Sequence, residues 1–460
     1  MFHEIKITVV GTGYVGLVSG ACFSELGYDV ICVDKDEEKI NKLKSVEIPI
    51  YEAGLKDLVH SNFVIHKRLK FTTDLQAAVA SCNVIFIAVN TPTRLEDGRV
   101  DLTYVENAAK EIAGLLNEYK LIVMKSTVSV GTGRHLKSII KKINPNARFD
   151  MVSNPEFLRE GSAVADFMSP DRIVIGTETP AAKSIMDGIY QIFSDRNVPI
   201  LHTDLESSEL IKYAANCFLA TKIAFVNEIA NFCEKTGADI EKVAEGMGLD
   251  KRIGANYLLP GPGFGGSCFP KDTLGLVSAA RDAGVPLDIV EAVVASNDKR
   301  KEQMVDKVIQ ACGKTVLQRK ITVLGLAFKS NTDDIRDSSA LTIVKGLQEN
   351  GAELCVYDPK AMPNAKAVLF NVKWASNVIE ALQGSEIVVI VTEWEEFKNL
   401  DFPSFGISTV VDFRNLYDPE DMLAMGVHYI SVGRKTPNTQ NSIKEVSRIK
   451  DNSLLIETQI

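Results

Sequence analysis

The run Gly261-Pro262-Gly263-Phe264-Gly265-Gly266-Ser267-Cys268-Phe269-Pro270-Lys271-Asp272 holds the most reactive combination of side chains in the chain. Glycine at four of its first six positions allows positive φ and close backbone approach, so several N–H groups can face an anion. A thiol, an ammonium and a carboxylate follow: Cys268, Lys271 and Asp272. A thiolate is a strong nucleophile, and Asp272, one helical turn after Cys268, is a candidate general base. The competing reading is a glycine-rich turn that caps a helix containing a buried cysteine. The rest of the chain decides between the two.

The first elements supply a nucleotide site. Lys6–Val10 is a β-branched run followed by Gly11-Thr12-Gly13-Tyr14-Val15-Gly16, a helical pattern to Gly27, and a second strand that finishes at Asp34. Strand, G-x-G-x-x-G, helix, strand and acid form a dinucleotide fingerprint, with the acid placed to meet a ribose diol. Asp34 favours NAD over NADP, because a carboxylate there repels a 2′-phosphate. Lys35 and Lys39 argue the other way; Lys39 touches the ribose or is a solvated charge. Two further apolar strands, Val84–Val89 and Leu121–Met124, end in polar residues, which places Thr91, Ser126 and Thr127 at the cofactor crevice. Each of these hydroxyls also fits a helix N-cap.

Asn154-Pro155-Glu156-Phe157-Leu158-Arg159-Glu160-Gly161 is irregular, and its two carboxylates can share a face. From Asp204 a long helix runs to about Glu234, with apolar residues almost all round it, as in a helix buried between domains. Lys212 and Asn216 lie one turn apart on it, and Asn227 falls near the same stripe. A lysine in such a helix needs an ion pair or a ligand. From Lys320 the opening repeats: Ile321–Gly325 echoes Ile7–Gly11, Leu354–Asp358 echoes the strand ending at Asp34, and Ile387–Thr392 echoes the strand before Asn90. The glycines after Gly325 are missing, so this second doubly wound domain binds something with less need of close backbone approach; Lys329 and Arg336 supply charge for a phosphate.

The expected architecture is α/β, with two doubly wound Rossmann-like domains joined by a long central helix and a helical middle domain. Its segments are 1–203 (NAD-binding), 204–312 (helical, with the cysteine loop), 313–434 (the second doubly wound domain) and a polar tail at 435–460. The formal net charge of −9 gives no basic surface for nucleic acid or an anionic membrane. No apolar run reaches the ~20 residues of a membrane span. The eight cysteines show no metal spacing, so no metal is expected. Cys22, Cys32, Cys82, Cys217, Cys233, Cys312 and Cys355 sit among apolar neighbours as inert core thiols, and a reducing cytoplasm fits them.

In order along the chain, the fingerprint, Val89-Asn90-Thr91-Pro92, Lys125-Ser126-Thr127-Val128, Asn154–Leu158, the Lys212/Asn216 helix, Gly265–Asp272 and Phe328-Lys329 resemble the UDP-glucose/GDP-mannose dehydrogenase family up to about Gly433. Ser129 departs from it, standing where the family usually has proline. The resemblance implies oxidation of a sugar-nucleotide C6 alcohol to a carboxylate in two steps with two NAD⁺ per turnover. It makes Cys268 the nucleophile of a thiohemiacetal and then a thioester. Lys212 and Asn216 hold the oxyanion; Asp272, with Thr127 and Glu160, activates the hydrolytic water; Glu156 is a second carboxylate. Lys271, Arg336 and Glu160 fall on the cofactor side. On the substrate side fall Glu156, Phe157, Leu158, Tyr257, Leu258, Gly265, Phe328 and Lys329, with Arg252 reaching a neighbouring subunit's site in at least a dimer. Ser267–Asp272 favours UDP-glucose, with GDP-mannose or a UDP-N-acetylhexosamine as alternatives. Two other readings are a two-electron 3-hydroxyacid-type dehydrogenase, which has no use for Cys268, and a nucleotide-sugar-binding protein without turnover.

Overall fold

Five-residue apolar strands buried on both faces dictate parallel sheets with helices on either side. The computed structural model describes residues 5–94 and 96–436, so the expected tail from residue 437 lies outside the described residues. The described chain divides into two compact units: residues up to 218, 268–294 and 331–333 in the first, and 219–267, 295–330 and 334–436 in the second, counting the described residues alone. Residues expected as a helical middle domain are thus apportioned between the two.

The first unit carries eight strands: β1 (Lys6–Val10), β2 (Asp29–Val33), β3 (Leu69–Thr72), β4 (Val84–Ile87), β5 (Lys120–Met124), β6 (Phe149–Ser153), β7 (Ile173–Thr177) and β8 (Ile200–Thr203). Their order is β3-β2-β1-β4-β5-β6-β7-β8, parallel except where β7 runs against β6. Alternation along the strands feeds two cores. Ile7, Val9, Val84 and Phe86 pack with Leu17 and Phe23 on one face, and Val10, Ile85 and Ile87 pack with Ile112 and Leu136 on the other. β4 stops at Ile87, short of the apolar run's end at Val89, where Gly11 crosses it: a Cβ on Gly11 would lie 2.5 Å from the Ala88 carbonyl oxygen.

The second unit repeats the plan with β9 (Lys320–Leu324), β10 (Glu353–Tyr357), β11 (Lys373–Trp374), β12 (Ile387–Ile390), β13 (Thr409–Asp412) and β14 (His428–Ile430), all parallel in the order β11-β10-β9-β12-β13-β14. The long helix spans Leu205–Thr236 and starts on Asp204, whose carboxylate accepts the Ser207 N–H at 2.7 Å. It is not buried all round, contrary to its composition. Phe218, Phe225 and Phe232 recur every seven residues, hence on one face, and are 66 %, 48 % and 66 % exposed in the single chain. The helix after the glycine run spans Phe269–Asp282, so that Cys268 is its N-cap residue.

Candidate active site

Three elements of the first unit converge on one charged cluster. The carboxyl end of β5 leads into Lys125-Ser126-Thr127, that of β6 into Asn154-Pro155-Glu156, and the long helix presents Lys212 and Asn216. Lys212 Nζ lies 3.0 Å from Glu156 Oε1, with the side chains only 3 % and 5 % exposed. Burial pulls the Lys212 pKa down, but Glu156 and the nearby Cys268 and Asp272 outweigh it and hold the lysine above its ordinary value. The costly buried lysine is therefore paired and charged. Glu156 Oε2 also accepts the Leu158 N–H, which fixes the carboxylate in its loop.

Asp272 is buried, and both of its oxygens are engaged. Asn216 Nδ2 donates to Oδ2 at 2.6 Å and Lys271 Nζ to Oδ1 at 2.6 Å. The Asp272 N–H closes the first helical turn onto the Cys268 carbonyl at 2.8 Å. Cys268 sits at a helix N-terminus, where the helix dipole favours negative charge. It is half-buried, whereas burial raises the other thiols: those of Cys22, Cys32 and Cys217 are pushed up to about 12. All eight cysteines are thiols rather than disulfides.

At the fingerprint, the glycines do different work. Gly11 has φ +100° and packs on Ala88, and a Cβ on Gly16 would lie 2.0 Å from the Gly11 carbonyl oxygen. Gly13 precedes the helix Tyr14–Glu25 with no side-chain cap, and a Cβ there would meet only Asn90 Oδ1, at 3.3 Å. A helix N-terminus with an open glycine cradle fits a dinucleotide pyrophosphate. Asp34 closes the second strand, accepting from Thr12 N (2.9 Å), Thr12 Oγ1 (2.6 Å) and Lys39 Nζ (3.1 Å). Partial burial works to raise its pKa, but the hydrogen bonds from Thr12 and Asp36 and the charge of Lys39 win and hold it low. A ribose diol fits beside this carboxylate, with Lys39 as its counter-ion.

Other expected residues have structural partners. Ser126 donates to the Val89 carbonyl at 2.7 Å, stapling the ends of β4 and β5. Thr91 is buried and Thr127 half-buried beside that staple. The Phe157 ring carries the Arg172 guanidinium at 3.6 Å from its centroid and Lys212 Nζ at 5.4 Å. Glu160 Oε2 accepts from Thr332 Oγ1 at 3.5 Å, and Lys271 lies 5.9 Å over the Tyr213 ring besides pairing with Asp272. The Tyr14 hydroxyl donates to Glu52 and accepts from the Gly161 N–H.

In the second unit, side chains pin the glycine run from below. Asn227 Oδ1 accepts the Gly261 N–H (2.8 Å), Arg300 Nε donates to the Gly261 carbonyl (2.9 Å), and Asn297 bonds both the N–H and the carbonyl of Phe264. Gly265 passes so close to Asp337 that a Cβ would lie 2.3 Å from its carbonyl oxygen; on Gly266, at φ +84°, a Cβ would strike the Phe328 ring. Lys329 Nζ lies 5.7 Å over the same ring. Leu258 is buried, and Tyr257 holds φ +65°. Arg336 pairs with Asp334 (2.7 Å), and Arg252, 89 % exposed, pairs with Asp250 (2.6 Å).

Sequence reasoning missed Lys125, Asn154, Arg172, Glu52 and Arg414. Fully buried Lys125 donates to Asn154 Oδ1 at 3.0 Å. Burial, then Lys212, lower its pKa to about 8 against the opposing pull of Glu156. Arg414 braces Phe328 by donating to its carbonyl at 3.0 Å. The only advance signal was position: Lys125 and Asn154 each end a buried strand.

A dinucleotide fold with a helix-capping thiol, two buried lysines and paired carboxylates defines an NAD-linked oxidoreductase. No group of His, Cys, Asp and Glu suited to a metal occurs among the described residues. The UDP-glucose/GDP-mannose dehydrogenase family matches in three parts: its NAD binding domain over residues 5–194, its central domain over 206–299 and its UDP binding domain over 322–419. The chain belongs to that family. It is 51 % identical over 436 residues to UDP-glucose 6-dehydrogenase of Rhizobium meliloti (strain 1021), covering 94 % of this chain and 100 % of that protein. It is 49 % identical to UDP-glucose 6-dehydrogenase TuaD of Bacillus subtilis (strain 168), covering 93 % of each. Among solved structures, a UDP-glucose dehydrogenase from Pyrobaculum islandicum superposes with a TM-score of 0.87 at 37 % identity, covering 94 % of this chain and 98 % of that one.

Proposed function

We propose that the protein oxidises the C6 alcohol of UDP-glucose to the carboxylate of UDP-glucuronate through a thioester on Cys268. The observation that carries this reading is the cluster itself: a thiol at a helix N-terminus, held among a charged lysine and two buried carboxylates. NAD⁺ bound at Gly11–Gly16 and Asp34 supplies the hydride acceptor, once for each oxidation. In the first oxidation the Asp272 carboxylate takes the C6 hydroxyl proton and passes it to solvent as the C6 hydride leaves. Lys212 and Asn216 donate hydrogen bonds to the C6 oxygen as negative charge develops there. The Cys268 thiolate adds to the C6 aldehyde, forming the C–S bond of a thiohemiacetal whose oxyanion Lys212 stabilises. Loss of the second hydride leaves the thioester. Asp272, oriented by Asn216 and Lys271, takes a proton from water, with Thr127 and Glu160 ordering that water. Hydroxide adds to the carbonyl, the C–S bond breaks and the Cys268 thiolate departs.

Glu156 keeps Lys212 charged and in place through the cycle. Phe157 and Leu158 continue its loop along the sugar, and Lys329, Phe328, Gly265, Tyr257 and Leu258 bind the UDP moiety. Residues 204–312 serve dimerisation: the Phe218–Phe225–Phe232 stripe suits burial against a second copy, and exposed Arg252 suits reaching into the neighbour's site. Eight thiols, one of them the nucleophile, suit a reducing cytoplasm. No described helix is long and apolar enough to cross a membrane.

Side-by-side assays with UDP-glucose, GDP-mannose and UDP-N-acetylmannosamine, with the product identified by mass spectrometry, test the reading. Two NADH per UDP-glucuronate are expected, and C268S should form no acid. Full-rate acid formation by C268S would overturn the thioester route. Sedimentation of F218E/F225E as a monomer, against a wild-type dimer, checks the stripe.

A further inference from the structure

Glu52 belongs to none of the motifs above, yet the residue is only 8 % exposed and both of its carboxylate oxygens accept hydrogen bonds. Oε1 accepts the Ala163 N–H at 2.8 Å; Oε2 accepts the Gly161 N–H at 2.7 Å and the Tyr14 hydroxyl. The same Gly161 N–H also reaches the Tyr14 oxygen at 2.8 Å. Tyr14 is the first residue of the helix that the dinucleotide fingerprint opens, and Gly161 directly follows Glu160. On its other side the Glu160 loop has no slack. Gly161 holds φ +81°, a Cβ on it would lie 2.4 Å from the Asn331 carbonyl oxygen, and Thr332 bonds Glu160. The start of the fingerprint helix and the Glu160 loop are therefore joined through the Tyr14 hydroxyl and one buried carboxylate.

We propose that Glu52 and Tyr14 are positioning residues that couple occupancy of the dinucleotide site to the placement of Glu160. Neither acts on substrate through its side chain: the phenol and the carboxylate are committed to each other and to the loop. The inference rests on the reading of Glu160 as part of the reacting site, but the coupling itself can be measured without turnover.

Hydrogen exchange at the Gly161 and Ala163 amides, with and without NAD⁺, provides the test on the full chain. In the wild type NAD⁺ should slow both amides further. In Y14F the carboxylate still holds both amides, so resting protection should survive while the NAD⁺-dependent increment disappears. In E52Q one amide faces an NH₂ group and loses protection outright. Turnover should fall ~10-fold in each, about the effect of one charge-assisted hydrogen bond. The double variant should be no worse than the poorer single one, because both break one link. An unchanged NAD⁺-dependent increment in Y14F, or variants that lower the melting temperature alone, would overturn the proposal. If the wild type showed the exchange coupling yet made no NADH with UDP-glucose, the proposed activity would fall and the link would stand.

Discussion

The two sheets are built from one plan and use it differently. Gly11 and Gly325 both follow the first strand with positive φ, and both donate their N–H at 2.8 Å to the end of the second strand, to Val33 and Tyr357. Asp34 and Asp358 both close that second strand. Asp34 keeps one edge to solvent and accepts from Thr12 and Lys39. Asp358 is 1 % exposed and receives five donors: Leu326 N, Ala327 N, Lys360 N, Ala361 N and Trp394 Nε1. The acid that can meet a ribose in the first sheet has become a structural bracket in the second. A repeat thus conserves the crossing of backbone at the first loop, while local side chains decide whether the crossing is a site. Where Thr12 and Gly13 stand in the first sheet, Leu326 and Ala327 fill the second, and the cradle closes.

The sharpest way to probe the shared part is at the two glycines. G11A and G325A should each cost about 4 kcal/mol in denaturant unfolding, since a Cβ would lie 2.5 Å from Ala88 O in one and 2.4 Å from Thr392 Cβ in the other. A large penalty at only one position would break the equivalence. The acids should then separate. D358N should destabilise the second unit by about 3 kcal/mol, because an amide cannot accept from all five donors, whereas D34N should cost under ~1 kcal/mol and instead weaken NAD⁺ binding in calorimetry.

Buried Lys125 gives the first unit a pH signature. Its pKa falls to about 8 in the fold, from 10.5 unfolded. The unfolded chain binds more protons between those values, so stability should rise from pH 8 to 10.5 and decline as pH falls back through 8. The full effect is on the order of 3 kcal/mol. K125M should flatten that slope in unfolding curves. A smaller effect than that of Lys125 belongs to the cradle. G13A, with only Asn90 Oδ1 at 3.3 Å, should fold normally yet bind NAD⁺ ~10-fold more weakly, about 1.4 kcal/mol. An unaltered affinity would remove the distinction between an open and a closed crossing.

Much of this was legible in advance, for specific reasons. The fingerprint, the echo beginning at Ile321 and the Cys268–Asp272 spacing are local patterns, and local backbone rules read them directly. Lys212 announced its need for a partner because a charge in an apolar helix is costly, but Glu156 as that partner required the fold. Glu52 carries no periodicity and makes its contacts across tens of residues, so nothing nearby marked it, and Lys125 and Asn154 were marked only by standing where a buried strand ends. The long helix misled for the opposite reason: apolar residues all round it suggested complete burial, whereas one aromatic stripe is left uncovered in the single chain.

By itself, the sequence determined the two doubly wound sheets, the dinucleotide loop and the candidate nucleophile Cys268 beside a glycine run, because strand burial and glycine conformation act over a few residues. Only the tertiary structure decided which carboxylates are open to a ligand and which are consumed as brackets. It also decided that Lys212 is charged by Glu156 and that a buried glutamate joins the cofactor helix to the Glu160 loop. Those outcomes depend on distances between segments far apart in the chain, and electrostatics in a buried site is set by such distances rather than by residue order.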